Sequence, residues 1–124
     1  VATGNSSHRV EALPGTQHVR VEIDGQVVAD STRPVLLYET GYPVRYYLPP
    51  EDVRLEHFEP TETHTHCPFK GDASYWSYHG DGRERSDVLW SYPAPPPDLA
   101  QITNLMAFYD EAVDIVVEGP GPAT

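Results

Sequence analysis

Cysteine, lysine and methionine each occur once in this 124-residue chain. A single thiol cannot close an internal disulfide, which excludes a disulfide-stapled secreted scaffold. Positive charge is also scarce: eight Lys and Arg residues against 19 Asp and Glu leave a formal net charge of −11. The basic footprint that nucleic acid or an anionic membrane requires is therefore lacking. The acidity is spread along the chain and reads as a solubilising surface. No apolar run approaches the roughly 18 residues of a membrane span. Long helices are disfavoured as well, because each of the 13 prolines removes a donor and clashes with the preceding turn.

What is present is a succession of short strands between turn signals. His18–Ile23 alternates apolar and polar residues, placing Val19, Val21 and Ile23 on one face. Asp24-Gly25 is a hairpin signal, since both positions tolerate positive φ, and Val27-Val28-Ala29 returns. Further strands are expected at residues 35–39 and 44–48, separated by Thr40-Gly41-Tyr42-Pro43 and stopped by Pro49-Pro50. Glu51-Asp52-Val53 suits a single helical turn after a proline, and residues 53–59 read as another strand. Residues 63–67 and 73–78 flank a turn at Pro68–Gly71, Gly80-Asp81-Gly82 reads as a hairpin tip, and residues 88–92 as the strand that follows. Residues 93–97 form a stiff connector. Residues 99–109 fit a short helical turn and then a strand, and residues 113–117 close the domain. The expectation is a mostly antiparallel β class in one domain over residues 8–118. Residues 1–7, small and polar, read as a disordered lead rather than a signal peptide, residues 119–124 as a frayed tail, and a reducing cytoplasm is the expected location. Nothing in the sequence speaks to oligomeric state.

The lone thiol and the lone primary amine sit three residues apart in Cys67-Pro68-Phe69-Lys70-Gly71, with Tyr75-Trp76 just behind. With Glu39, Tyr46-Tyr47-Leu48-Pro49, Glu51-Asp52-Val53, Ala73, Trp90, Tyr92-Pro93 and Ala107-Phe108-Tyr109, these residues resemble a bacterial and fungal family known as domain of unknown function 427, also filed as nucleotidyltransferase-like. The resemblance runs over roughly residues 8–118. It implies a β-tent-like fold, two antiparallel sheets meeting at a steep angle with a pocket in the cleft, as in the thalidomide-binding domain of cereblon and the zinc-bearing methionine sulfoxide reductases. Those relatives hold a four-cysteine zinc; one cysteine cannot, so no metal or other cofactor is expected. The resemblance brings no established activity.

Lys70 held against rings would lose solvation of its charged form and become nucleophilic; alternatively it binds a ligand carboxylate or phosphate, or pairs with Glu39 and braces the turn. Cys67 is either a thiolate nucleophile or a small core hydrophobe. Glu39, at a strand end, could act as a base or orient Lys70. Tyr47, Tyr75, Trp76, Trp90 and Tyr92 are candidate walls of an aromatic cleft. His57, His64, His66 and Cys67 lack any familiar zinc spacing and read as exposed strand residues. Arg45 reaches either solvent or an anion, and Asp52 belongs to its local turn.

Nucleotidyl transfer finds no support, for there is neither a Gly-rich loop followed by Lys-Ser/Thr nor a paired-aspartate strand. Two functions are consistent with the residues. One is a binding domain whose aromatic cleft takes a small molecule with Lys70 as polar anchor. The other is a cofactor-independent enzyme using Lys70 with Glu39 or a tyrosine as acid/base. A buried amine within reach of Glu39 or a tyrosine, beside an open cavity, would favour the enzyme; an outward Lys70 would favour binding or a scaffold.

Overall fold

Ten strands and four 3-10 turns make up the described residues of the computed structural model, which are 8–80 and 84–120. The expected lead, the tip at residues 81 and 82 and the end of the tail lie outside them. Beginning with β1 (Val10–Pro14), the chain forms β2 (His18–Ile23), β3 (Gln26–Ser31), β4 (Val35–Glu39) and β5 (Arg45–Tyr47). The second half adds β6 (Phe58–Cys67), β7 (Gly71–Tyr78), β8 (Arg85–Ser91), β9 (Met106–Phe108) and β10 (Asp114–Glu118). All named strand pairs are antiparallel.

The mostly β class expected from the sequence is observed, but the strands pair into three sheets rather than two: β1-β4-β5, β10-β2-β3 and β6-β7-β8-β9. The break falls between β3 and β4. Pro34 has no N–H to offer a ladder, and Ser31 there accepts the Arg33 N–H at 3.1 Å while donating to Asp52 at 2.8 Å. The chain leaves one sheet at that corner and enters the next. Two of the sheets rejoin where Leu48 and Met106 exchange backbone hydrogen bonds of 2.8 Å each.

The β2-β3 hairpin turns through Asp24 and Gly25, with φ of 51° and 85°, the pair of positive angles that suits the twist of the flanking strands. Alternation in β2 buries Val19, Val21 and Ile23, while Arg20 and Glu22 on the outer face pair at 2.9 Å. Residues 53–59 are not one strand: Leu55–His57 forms a 3-10 turn and β6 starts at Phe58. Val53 and Phe58 are an odd number of positions apart and would face opposite sides of a strand, yet both enter the same core. The turn makes that possible. β1 had no counterpart in the sequence reading; it is a sheet edge with only Ala12 buried, so it carries no alternation to detect.

Two cores occupy the two faces of the four-stranded sheet. Val19, Val21, Ile23 and Val28 of β2 and β3 pack with Phe58, Tyr78, Leu89 and Phe108. Ala12, Leu37 and Tyr47 of the β1-β4-β5 sheet pack with Ala73, Tyr75, Trp90, Tyr92 and Ala107, and Leu99 and Ile102 of the 3-10 turn Pro97–Ile102 close that second core. Neighbouring residues in the chain go to different cores, Leu89 to one and Trp90 to the other, because successive side chains on a strand point to opposite faces.

Candidate functional site

The second core is incompletely filled. A cavity of about 240 Å³ opens among the ends of β4 and β5, the turn before β7, and β8, lined by Leu37, Glu39, Arg45, Tyr47, Cys67, Lys70, Tyr75, Trp90, Tyr92 and Tyr109 together with Tyr42 and Pro43. Each lining side chain arrives by a local rule. Glu39 ends β4, Arg45 and Tyr47 share one face of β5 by period two, and Tyr75 and Trp90 oppose each other across the β7–β8 ladder. Lys70 is aimed by a turn in which its N–H bonds to the Cys67 carbonyl at 3.2 Å. Gly71 leaves that turn at φ +99°, and a Cβ there would stand 3.1 Å from the Ala94 carbonyl oxygen. Glycine is required at that position.

Lys70 Nζ lies 2.6 Å from Glu39 Oε1, and the two side chains are 13% and 12% exposed. The primary amine is thus withdrawn from bulk solvent, paired, and on the cavity wall. The second carboxylate oxygen of Glu39 lies 3.2 Å from His8 Nε2, and the His8 ring stacks on Phe69 at 4.3 Å. Trp90 donates its indole N–H to the Tyr47 hydroxyl at 3.1 Å. The Tyr75 hydroxyl is 2.9 Å from Thr65 Oγ1. The Arg45 guanidinium stands over the rings of Trp90 and Tyr109, at 5.3 and 5.7 Å from their centroids.

Burial sets the protonation of the phenols. Desolvation pushes the Tyr47 hydroxyl far above its ordinary value, against a smaller opposing effect of the Trp90 hydrogen bond. Tyr92 is raised in the same way, with Tyr47, Cys67, Tyr75 and Glu39 adding to the effect. Tyr109 is pushed up to about 12, first by burial and then by the neighbouring Tyr75 hydroxyl. At neutral pH these groups are uncharged donors.

Of the residues singled out in the sequence, Lys70, Glu39, Cys67, Tyr47, Tyr75, Trp90 and Tyr92 come together around this cavity. Trp76 does not. It follows Tyr75 on β7, packs against the first core, and lines a second cavity with Pro60, His64 and Pro93, a cavity that Tyr75 also borders. Asp52 does not cap its own turn but accepts from Ser31 and Arg33. His64 and His66 are exposed, and His66 pairs with Asp72 at 2.7 Å. No group of three or more His, Cys, Asp or Glu among the described residues is placed to hold a metal ion. Arg45, left between solvent and an anion by the sequence, stands on the cavity wall, while Tyr109 and His8 are residues of the candidate site to which the sequence reading assigned no role. Arg45 and Tyr47 are two apart on a strand, which is the signal that could have placed the guanidinium on the cavity side.

No described helix is long and apolar enough to cross a membrane. None of the curated proteins matches the chain. The model of a protein family, described as a domain of unknown function (DUF427), matches residues 11–119. With almost the whole chain covered, the protein belongs to the DUF427 family.

Proposed function

We propose that this domain binds a small organic molecule in the ring-walled cavity, with the Lys70–Glu39 pair as a polar anchor on its wall. The observation that carries this reading is the amine itself: the one lysine of the chain is buried to 13% exposure beside open space. A brace for a turn has no need of a cavity beside it. The cavity is smaller than the usual range for drug-sized ligands, so the guest is correspondingly small.

An enzyme built on the same residues is the second reading, and one observation favours it. An amine within 2.6 Å of Glu39 beside a cavity is the arrangement expected of a lysine with an adjacent acid/base. The tyrosines weigh the other way. A catalytic phenol is useful when its proton is held near the working pH, whereas Tyr47 and Tyr92 are driven upward by burial. Binding is common to both readings and is therefore the conclusion.

The test is a thermal-shift screen of a metabolite pool on the wild-type protein and on Lys70→Ala. A compound that stabilises the wild type and not the variant supports the anchored-ligand reading. Borohydride trapping of that compound on Lys70 would move the enzyme reading ahead. A pool that shifts neither protein would overturn both in favour of a scaffold.

A further inference from the structure

Charge at the cavity runs against the charge of the chain. The chain as a whole carries −11, yet the charged side chains lining the cavity are two cations, Arg45 and Lys70, and one carboxylate, Glu39. Lys70 and Glu39 cancel each other at 2.6 Å. The charge left facing the cavity is the Arg45 guanidinium.

Arg45 is incompletely satisfied where it stands. Its Nη1 is buried without a hydrogen-bond acceptor among the described residues. The Asp110 carboxylate lies 3.2 Å away but off the N–H direction, and Asp110 is half exposed, where water screens it. Stacking over Trp90 and Tyr109 occupies the face of the guanidinium plane. The donors lie in that plane, so a carboxylate would meet the guanidinium at its edge, in the bidentate contact that the fork allows. Two neutral hydroxyls stand by. Tyr47 accepts from Trp90 and keeps its own proton for another acceptor. The Tyr92 hydroxyl has no hydrogen-bond partner among the described residues, and it lines the same space.

We infer that the ligand is a small, flat monocarboxylate, its carboxylate met by the edge of Arg45 with the hydroxyls of Tyr47 and Tyr92 as further donors, and its body lying among the rings. This rests on the cavity being a ligand site, as proposed above. One negative charge balances Arg45. A dianion would leave a charge uncompensated near Glu39, and a cation would face the guanidinium directly. A neutral molecule would leave a desolvated guanidinium edge unpaired, which costs more than a missing neutral hydrogen bond.

The two tryptophans supply both reporter and control. Trp90 lines the cavity and Trp76 packs on the opposite side of the sheet, so the two indole N–H signals of the ¹⁵N-labelled protein separate local binding from global change. The probes are four molecules of one shape: benzoate, benzamide, benzamidinium and phenyl phosphate. The inference requires benzoate to move the Trp90 signal and leave Trp76 in place, at about tenfold tighter affinity than benzamide, with binding weakened by added salt. Arg45→Gln removes the preference, while Arg45→Lys, which keeps the charge without the fork, retains part of it. An undisturbed Trp76 signal certifies that each variant is folded. Benzamide equalling benzoate, or Arg45→Gln keeping the preference, overturns the charge inference and leaves the cavity reading standing; in that case Arg45 serves only as packing for the two rings. If none of the four probes moves Trp90 at millimolar concentration, the cavity reading falls and this inference with it.

Discussion

Lys70 and Glu39 are 31 positions apart and meet at 2.6 Å with little solvent around either. Removing one partner leaves the other as an uncompensated charge in a poorly solvated place. Lys70→Met and Glu39→Gln are each expected to cost about 3 kcal/mol in urea unfolding, and the double variant to recover most of that loss. Single variants that unfold at the wild-type urea concentration would show the pair to be a weak rim contact. The buried phenols make a separate prediction about alkali. Tyr109 is raised from 10.0 to about 12, and Tyr47 and Tyr92 are raised further. A folded state that holds these protons more tightly than the unfolded chain binds more protons above the ordinary tyrosine value. Their contribution is therefore intact below about pH 10, falls as the pH rises through that window, and is lost above the folded values. Tyrosinate absorbance followed alongside circular dichroism should show part of the eight-tyrosine signal appearing only as the fold is lost. Tyr92→Phe should move that transition to higher pH, and an unmoved transition would remove Tyr92 from the account.

At the scale of elements, two corners fix how the strands around β7 meet. The turn between β6 and β7 depends on Gly71, whose φ of +99° and whose approach to the Ala94 carbonyl admit no side chain without strain. Gly71→Ala is expected to cost about 1–2 kcal/mol and, because the same turn aims Lys70, to weaken any ligand-induced thermal shift beyond what the lost stability explains. A variant with full stability and an unchanged shift would show the turn to be permissive. The second corner is the bulge at Asp87, a residue at φ 52°. Its two carboxylate oxygens accept from Thr61 at 2.7 Å and Thr63 at 2.8 Å, and its N–H bonds to Ser77 at 2.9 Å. That clamp ties the edge strand β6 to β8 across β7. Asp87→Ala strands the Thr63 hydroxyl, leaves that of Thr61 only the Tyr75 carbonyl at 3.4 Å, and should lower stability by about 2 kcal/mol, with hydrogen exchange rising along β6 first; uniform exchange would mean that the edge is held elsewhere.

Over the whole molecule the excess of acid dominates. With a net charge of −11, self-repulsion opposes the compact state, and salt screens exposed charges more than buried ones. Melting temperature should therefore rise from low to moderate sodium chloride, while the coupling between Lys70 and Glu39 in a double-mutant cycle stays nearly constant. A melting temperature that falls with salt would mean that exposed pairs such as His18–Asp30 and Arg85–Asp24 outweigh the repulsion.

Much of the architecture was legible because it is local. The alternation of His18–Ile23, the Asp24-Gly25 turn and the prolines at 49 and 50 each act within a few residues, and the structure follows them. Cys67, Lys70, Tyr75 and Glu39, which line one cavity, could be named as candidates because rarity and resemblance pointed to them. The rest depends on what meets what. A sequence cannot say that β10 returns to β2 to make a third sheet, that His8 reaches Glu39, or that Trp76 lies away from the cavity that Lys70 and Trp90 line. Period two places side chains on alternate sides of a strand, but which side is the cavity is decided by long-range pairing. In this chain the composition determined a β domain with little positive charge, and the tertiary structure decided that Lys70 and Arg45 line one cavity, because only folding brings the ends of β4 and β5 against the β6–β7 turn.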